Sequence, residues 1–383
     1  MTTTTSIGVA GLLVLAAACM APDERTSSLT AFEGETPTTP DAPPPPPPAF
    51  PDGNPDQLTG NCPENTCGTN SPVISGVYFS RLHLGGLVSP KGVQLTGVIG
   101  PNGGPMQLEL VDGDRLRGVY PGGQLVEHGA LSGTRLGVLV QDAAYEILLR
   151  GVSQEPFWAT ANTSALAARP EPSSLPPPQP QPPQPQIESY EFHYRPLGTT
   201  RNELLCSEAD GDPTKLNALV FGGDLYDQAS KAIQIGPETD GWLNIACTSN
   251  AIYKMHKIGY TSAAQLRLGN YTTLDQRRAM LNAWTANVCG TGKSYTHAGE
   301  PITLRESLDV QSPASPFLGD AKTIEAIWGP DGAVCLTAPR LSEEIPNLRD
   351  LIVSECGPEK LLPSCAELPD PWTAHGTVRT GNP

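Results

Sequence analysis

The chain has 383 residues, a length that favours two or three domains, and it carries a net charge of −16. This strongly negative balance argues against binding nucleic acid through a basic surface, so no nucleic-acid partner is expected. The chain contains 41 prolines and 39 glycines, well above ordinary usage, which predicts that a large part of it forms stalk, linker and turn.

An apolar run from Ile7 to Ala18 precedes the first cysteine. It is too short to cross a bilayer and suits the core of an export signal. The run ends in Ala16-Ala17-Ala18-Cys19, which leaves two alternatives: cleavage to a soluble secreted protein, or lipid attachment at Cys19. Setting Cys19 aside leaves an even number of cysteines, which can pair fully in an oxidising compartment. We therefore expect residues 1–18 to be an export signal and the protein to be an outer-membrane lipoprotein of the cell envelope.

Composition divides the rest of the chain into four parts. Residues 19–59 are rich in proline and threonine and include the block Pro43–Pro48, so they are predicted to form a disordered stalk. Residues 60–160 are predicted to form a small all-β domain, because short runs of Val, Leu and Tyr alternate with Gly and Asp-Gly turns. Residues 161–187 are predicted to be a Pro/Gln-rich linker that keeps the flanking parts from sharing a large interface. Residues 188–383 are predicted to be a disulfide-stabilised α+β domain.

A faint repeat runs through the predicted all-β domain. It places Leu95, Leu116 and Leu136 at intervals of 21 and 20 residues, which suggests one hairpin per repeat. An Asp-Gly turn is predicted between the strands Met106–Val111 and Arg115–Tyr120. A calcium loop is the alternative, but the turn has too few carboxylates for one.

Two helices are predicted between residues 248 and 290. The first starts at a cap formed by Thr248 or Ser249 and stops at a glycine. Its apolar residues recur at helical spacing: Ala251, Ile252, Met255 and Ile258. The second starts with a capping box formed by Thr273 and Gln276. Its inward stripe comprises Ala279, Met280, Ala283, Trp284 and Val288.

Strands are predicted on either side of these helices. Tyr190–Tyr194 and Ala218–Phe221 precede them, and Ile302–Leu308 follows. Ile324–Trp328 and Ala333–Thr337 flank a Gly-Pro-Asp-Gly turn, which predicts a hairpin.

Cysteines near one another in sequence suggest two local disulfide bonds. Cys62 and Cys67 suit a bridge across a proline-containing turn, because a metal knuckle would need a second ligand pair nearby. Cys356 and Cys365 lie among prolines and are predicted to close a terminal loop on themselves.

The remaining cysteines are Cys206, Cys247, Cys289 and Cys335. They allow three pairings, and sequence alone does not choose among them. The pairing we favour joins Cys206 to Cys247 and Cys289 to Cys335.

Stretches around these cysteines resemble a known family. They are Leu205-Cys206, Ala246-Cys247-Thr248 leading into Ala251-Ile252 and Lys254, Ala286–Gly290, and the run Trp328–Cys335. The family is the ADYC domain of secreted bacterial proteins, named for an Ala-Asp-Tyr-Cys tetrapeptide. The resemblance covers roughly residues 190–365, and the tetrapeptide stands here as Ala286-Asn287-Val288-Cys289.

The resemblance implies a fold and an extracytoplasmic setting, and it supplies no catalytic residues. Family members often carry further cysteines where this chain has Met255 and Met280. The resemblance therefore implies an apolar contact between the two helices in place of a bridge.

Few residues suggest catalysis or cofactor binding. Neither a Gly-x-Ser-x-Gly elbow nor a His-Glu-x-x-His helix is present, and the run Gly290–Ser294 lacks the first glycine of a phosphate loop, so no cofactor is predicted. His297 is the one candidate general base, since it lies in a Gly-rich loop near Tyr295 and Glu300. A solvent-facing loop histidine is the alternative.

An acidic loop offers the one candidate cation site. Glu208, Asp210 and Asp212 alternate along it and could hold a cation weakly. The alternative is an ordinary solvated loop, and no metal is predicted to be needed.

Two functions from different classes remain. The first is a non-catalytic envelope lipoprotein that presents a binding or structural domain on a proline-rich stalk, touching the membrane only through lipid on Cys19 and meeting a protein or glycan partner. The alternative is a secreted hydrolase with a site near the loop after Cys289. Exposed aromatic residues such as Trp328 or Trp372 would favour the first, and a cleft with converging carboxylates around His297 would favour the second.

Overall fold

A computed structural model describes residues 72–159, 185–206, 217–248, 250–269, 271–296, 300–308, 323–369, 373 and 375–382. Within these ranges the chain is mostly β-sheet with a few helices, which confirms the α+β class in its coarse form.

The strands of the amino-terminal half are β1 (Val73–Ile74), β2 (Val77–Tyr78), β3 (Arg81–His83), β4 (Val93–Ile99), β5 (Gln107–Val111), β6 (Arg115–Val119), β7 (Leu125–Glu127), β8 (Arg135–Val140) and β9 (Ala143–Pro156). The later strands are β10 (Gln186–Pro196), β11 (Glu203–Leu204), β12 (Asn217–Phe221), β13 (Asp224–Tyr226), β14 (Ile233–Ile235), β15 (Trp242–Cys247), β16 (Thr303–Glu306), β17 (Thr323–Gly329), β18 (Gly332–Leu336) and β19 (Val378–Asn382). The helices are α1 (Ala251–Lys257), α2 (Ser262–Leu268), α3 (Leu274–Thr285) and α4 (Leu348–Cys356), with short 3-10 turns at His128–Leu131, Pro237–Thr239 and Cys365–Glu367.

One eight-stranded antiparallel sheet forms the centre of the described structure. Its strands lie in the order β3-β15-β12-β10-β9-β8-β4, and β11 pairs with β10 off this path. The pairing of β9 with β10 is the longest in the sheet and runs from Pro156 opposite Gln186 to Tyr145 opposite Pro196. A four-stranded sheet has the order β16-β19-β17-β18, and β5, β6 and β7 form a three-stranded one.

The central sheet joins the two parts that sequence analysis kept apart. Strands β3, β4, β8 and β9 come from the predicted all-β domain, whereas β10, β12 and β15 come from the predicted α+β domain. The expectation that residues 161–187 prevent a large interface is therefore wrong. The physical reason is that β9 and β10 are long strands with apolar positions on both sheet faces, and pairing them satisfies the backbone and buries those positions together.

Apolar residues are buried on both faces of this sheet. In β12, Leu219 and Phe221 belong to the core under the helices, whereas Ala218 and Val220 belong to the core on the opposite face. Alternate residues of a strand point to opposite faces, so a strand buried on both sides must be apolar throughout. This explains the continuous apolar run that predicted β12.

The two predicted helices are present, with different ends. The first is α1, whose cap is Asn250. The second is α3, whose capping box of Thr273 and Gln276 is confirmed. It ends at Thr285, earlier than predicted, because Ala286 takes a left-handed conformation with φ of 46°.

A third helix, α2, which was not predicted, lies between the two predicted helices. Thr261 caps it by accepting a hydrogen bond from the Ala264 N–H, and Gly269 ends it in the left-handed conformation. Its seven residues lie between the two predicted helices and form part of the surface described below.

Both predicted hairpins are confirmed. Strands β5 and β6 pair on either side of the Asp-Gly turn, and β17 pairs with β18 around the Gly-Pro-Asp-Gly turn. The three repeat leucines, Leu95, Leu116 and Leu136, are buried in β4, β6 and β8. However, β4 pairs with β8, so consecutive repeats do not form separate hairpins.

Three disulfide bonds connect distant parts of the described chain. Cys206 is bonded to Cys247 at an S–S distance of 2.05 Å, as predicted. The two other bridges are Cys289–Cys356 and Cys335–Cys365. The predicted pairs Cys289–Cys335 and Cys356–Cys365 are therefore wrong.

The packing of the carboxyl-terminal segment explains these pairings. Helix α4 ends at Cys356 beside the turn that follows α3, where Cys289 lies. The next segment then follows β18, since the Leu336 N–H donates to the Pro363 carbonyl at 3.0 Å, and this contact places Cys365 against Cys335. Cys356 and Cys365, nine residues apart, are thus held by two different contacts, the first by the position of α4 and the second by the segment that follows β18.

Candidate binding surface

A cleft of about 290 Å³ lies between the β5–β6 turn, the turn after β12, residues 239–242 and the start of α2. Its walls are mainly apolar or glycine, with Leu110, Trp242 and Leu266 among them. Leu266 is 75 % exposed, so the rim of the cleft presents a large apolar side chain to solvent. The volume is at the small end of the range for ligand sites.

Glycine lets the walls of this cleft approach one another. A Cβ at Gly222 would lie 2.8 Å from the Leu110 side chain. Gly223 has a φ of +86°, and a Cβ there would lie 2.9 Å from the Ser262 Cβ. A side chain at Gly222 would displace the Leu110 side chain from the cleft wall, and one at Gly223 would displace the start of α2, so the shape of the cleft depends on these two residues.

A buried ion pair lies below the cleft. The Asp224 carboxylate is fully buried and accepts hydrogen bonds from Arg277 Nη1 at 2.8 Å, from the Ser262 N–H at 2.9 Å and from Ser262 Oγ at 2.6 Å. Burial and the neighbouring Asp224 charge raise the pKa of Tyr226, so this phenol is a neutral donor to the same carboxylate. Arginine and tyrosine donors already occupy the Asp224 carboxylate, so Ser262 is positioned as a structural donor rather than as an activated nucleophile.

A second polar cluster connects the β5–β6 turn to α1 and α2. Asp114 Oδ1 lies 3.2 Å from Arg267 Nη1, and Asp114 Oδ2 lies 3.4 Å from His256 Nε2. The other ring nitrogen of His256 contacts the Thr261 hydroxyl at 2.7 Å. Burial lowers the pKa of His256, partly opposed by Asp114, so the imidazole is neutral at pH 7 and acts in packing.

His128 and Glu188 form a contact that sequence analysis missed. The half-exposed imidazole meets the buried Glu188 carboxylate through Nδ1, and Tyr190 donates to the other carboxylate oxygen at 2.7 Å. These residues lie 60 positions apart, and no local signal in the sequence predicts their contact. Neither His128 nor Glu188 lines the cleft.

Several predicted site residues lie outside the described residues. They are the lipidation candidate Cys19, the cysteines Cys62 and Cys67, the general-base candidate His297, and the acidic residues Glu208, Asp210 and Asp212. Trp372 also lies outside, whereas Trp328 is fully buried and donates through Nε1 to the Thr380 hydroxyl at 2.8 Å. Trp328 is thus a core residue and not the exposed aromatic residue considered above.

In the part of the chain that the structure describes, no three His, Cys, Asp or Glu side chains converge as a metal site would require. Over the same residues, no helix has both the length and the apolar character needed to span a bilayer.

The sequence model of the ADYC domain matches residues 130–342, more than half of the chain. The chain belongs to the ADYC domain family. No curated protein and no solved structure matches it.

The limits of the ADYC domain differ from those expected from the motifs. The match begins at residue 130, before β8 and β9, rather than near residue 190. It therefore includes both strands of the long β9–β10 pair, in agreement with the continuous sheet. It ends at residue 342, so the bridges Cys289–Cys356 and Cys335–Cys365 each join the ADYC domain to a segment beyond it.

The tetrapeptide of the ADYC domain forms the turn that ends α3. Ala286 provides the left-handed residue, and Cys289 forms the bridge to α4. The Asn287 side chain is buried, where its Oδ1 accepts the Gly292 N–H at 2.9 Å and its Nδ2 donates to Asn282 at 2.9 Å. The motif therefore fixes a turn and directs a cysteine, which is a structural role.

Proposed function

We propose that this ADYC protein is a non-catalytic lipoprotein of the cell envelope that presents its disulfide-bonded domain as a binding module. The observation that carries the proposal is the set of three disulfide bonds between distant elements. Disulfides of this kind form and persist in oxidising compartments, outside the cytoplasm.

The sequence before the described residues supports a location in the cell envelope. The apolar run Ile7–Ala18 has the length of an export signal and ends directly before Cys19. Six of the nine cysteines are paired in the structure, which leaves Cys19, Cys62 and Cys67. If the last two form a bridge, Cys19 is the one thiol left for lipid.

The arrangement of buried charge supports a non-catalytic role. Among the residues that the structure describes, two ion pairs are almost wholly buried, Asp224 with Arg277 and Glu325 with Arg340, and Lys257 pairs with the less buried Glu155. In each pair, an opposite charge compensates the carboxylate. A general base, by contrast, needs a carboxylate or imidazole whose proton affinity is left available to a substrate. These pairs hold elements together.

The mainly apolar cleft supports a binding role. Its walls combine glycine backbone with Leu110, Trp242 and Leu266, and an apolar rim faces solvent. Such a concave apolar surface suits an uncharged portion of a partner protein or glycan better than an ion.

The test is the intact mass of the full chain, expressed with its own amino terminus in a Gram-negative host and purified from membranes. We expect a chain that begins at Cys19 and carries a diacylglyceryl group and an amide-linked acyl chain. Under reducing conditions its mass should increase by two hydrogens for each bridge.

Cys19→Ser is the matched control, because it removes the lipid acceptor and none of the predicted bridge cysteines. It should abolish the added lipid mass and leave the protein out of the membrane fraction. An unlipidated wild-type chain cleaved after an Ala-x-Ala site would contradict lipid anchoring. Alkylation of several cysteines in unreduced protein would contradict a location in an oxidising compartment.

A further inference from the structure

The cleft described above carries a carboxylate in its wall. Of its lining residues that the structure describes, only Asp240 is charged, and this residue is exposed in the turn before β15. Within the described ranges, no lysine, arginine or histidine forms an ion pair with it. The cleft therefore combines apolar walls with one carboxylate that is open to solvent.

The other polar side chains of the described wall already have partners. The Thr239 hydroxyl donates to the Gly236 carbonyl at 2.7 Å, and Ser262 Oγ donates to Asp224 at 2.6 Å. Each hydroxyl has one hydrogen, so neither has a donor left for a ligand. Asp240 is thus the side chain of this wall that can recognise a polar ligand, and a carboxylate recognises a donor or a cation.

The charge around the cleft favours a cation over a neutral donor. Glu238, exposed two residues before Asp240, adds a second negative charge to the same turn. Three arginines close to wall residues are each matched by a carboxylate: Arg81, which lies over the Trp242 ring, with Asp227, Arg115 with Asp112, and Arg267 with Asp114. These arginines leave the charge of the turn uncompensated, and the whole chain carries −16, so the rim of the cleft attracts cations.

A lysine side chain has the shape and the charge for this site. Its stem of four methylenes packs along apolar surface while its ammonium stays in water. The walls offer Leu110, Trp242 and Leu266 to the stem, and the exposed Asp240 to the ammonium. At about 290 Å³ the cleft admits one long side chain rather than a helix or a strand.

We propose that the cleft binds a lysine side chain of a partner protein, with the uncharged stem against Leu110, Trp242 and Leu266 and the ammonium at the rim beside Asp240. The proposal rests on the binding role proposed above and names the chemistry by which the partner is recognised. Lysine suits the site better than arginine, because its flexible stem ends in a compact ammonium, whereas a planar guanidinium is matched by a fork of acceptors.

The test is an NMR titration of the oxidised full-length protein with two probes that share a four-carbon stem. Nα-acetyl-lysine amide represents a lysine within a chain, and Nα-acetyl-norleucine amide lacks only the ammonium. We expect saturable shifts of the Gly222, Gly223 and Trp242 amide signals, with a dissociation constant on the order of 1 mM for the lysine probe. The norleucine probe should bind about threefold to fivefold more weakly, because it cannot form the exposed ion pair.

Variants at the rim test the assigned contacts. Asp240→Asn removes the charge and keeps the size of the side chain, so it should weaken binding of the lysine probe about threefold to fivefold and leave binding of the norleucine probe unchanged. Asp142→Asn is the matched control, because Asp142 is also exposed and lies outside the cleft, and it should bind both probes as the wild type does. Leu266→Ala should weaken binding of both probes by a similar factor, because it removes apolar surface that the two stems share.

Equal affinity of the wild type for the two probes overturns the lysine site, as does equal affinity of Asp240→Asn and Asp142→Asn for the lysine probe. Asp240 and Leu266 are exposed, so their variants should fold, and the comparison of the two probes uses wild-type protein in any case. Failure of this inference is distinguishable from failure of the proposed function. Equal binding of both probes in the cleft would leave an apolar binding module and remove the lysine, whereas the absence of shifts with either probe would remove both.

Discussion

Phe157 donates its main-chain N–H to the carbonyl of Pro185 at 3.0 Å. These two residues lie on either side of the Pro/Gln-rich segment, so the two points that the segment connects are adjacent in the fold. It connects neighbouring antiparallel strands, β9 and β10, rather than spanning a distance between two domains. The bond extends a strand pair that is already the longest in the sheet.

This relationship predicts what happens when the segment is cut. A site-specific protease sequence inserted between residues 165 and 180 should allow complete cleavage without dissociation, because β9–β10 pairing and two shared cores hold the fragments together. All three described bridges lie in the carboxyl-terminal fragment, so they cannot explain co-elution. The fragments should co-elute in native gel filtration and separate in denaturant without reductant. Two folded fragments eluting apart would refute the continuous sheet.

The three bridges should differ in their ease of reduction. Cys289 and Cys356 are both partly exposed, whereas the cysteines of the other bridges are buried: Cys206, Cys247, Cys335 and Cys365. Thiol–disulfide exchange requires access to a sulfur, so graded reductant should open Cys289–Cys356 first. Alkylation followed by peptide mass spectrometry measures the order. Earlier labelling of Cys335 or Cys206, or labelling of all six together, would contradict this order.

The Cys289–Cys356 bridge should stabilise the protein because it closes a long loop of the unfolded chain. Its cysteines are 67 residues apart, and replacing both with alanine should lower the free energy of unfolding by about 2–4 kcal/mol. Urea denaturation of the double variant Cys289→Ala/Cys356→Ala and of the wild type, both without reductant, measures the difference. An unchanged midpoint would mean that α4 is held by its core contacts alone.

Glu325 and Arg340 form the most buried ion pair of the carboxyl-terminal part. Arg340 donates to both carboxylate oxygens, at 2.7 and 2.8 Å, and Thr380 donates at 2.7 Å. Arg340→Met should lower the free energy of unfolding by about 3–5 kcal/mol, because it leaves a buried carboxylate without its counter-charge. The matched control is Arg278→Met, which removes an exposed pair with Asp275 and should change stability by less than about 1 kcal/mol. Equal effects in denaturation experiments would contradict the assigned burial.

Local signals in the sequence were sufficient for elements whose boundaries are set by nearby residues. The capping box of Thr273 and Gln276 and the turn between β17 and β18 are both formed as predicted. Helix α2 also carries such signals, in its Thr261 cap and its Gly269 stop. It was missed because its short run of residues lacks a long apolar stripe.

Relationships between distant residues could not be predicted in the same way. Cys356 and Cys365 are near in sequence, yet α4 and β18 direct them to different partners. Lys257 carries a charge, which predicts a solvent-facing position on its helix. It is nevertheless buried and pairs with Glu155 from β9 at 2.7 Å. The cleft likewise exists only because the two predicted domains share a sheet.

Lys231 gives a prediction about pH. Its side chain is buried in the turn between β13 and β14, where Nζ donates to the Gln228 carbonyl at 2.7 Å. Burial lowers the pKa of Lys231 to about 7, against a partial opposing effect of Asp227. The unfolded chain keeps a lysine pKa of 10.5, so between these values it binds more protons than the folded protein does. Stability should therefore rise with pH across this window, and this contribution is smallest below pH 7.

Lys231→Met removes the titrating group and should stabilise the protein by about 1–3 kcal/mol near pH 7, since each pKa unit corresponds to about 1.4 kcal/mol and the hydrogen bond to Gln228 is lost. The gain should shrink as the pH rises from 7 towards 10.5, because the free-energy cost of deprotonating the wild-type lysine on folding falls over that range. Urea denaturation across this pH range measures the free energy of unfolding of both proteins as a function of pH. The control is Lys91→Met, at an exposed position, whose free energy of unfolding should differ from that of the wild type by a constant amount. If the Lys231→Met curve ran parallel to the wild-type curve, Lys231 would have to remain charged in the folded protein.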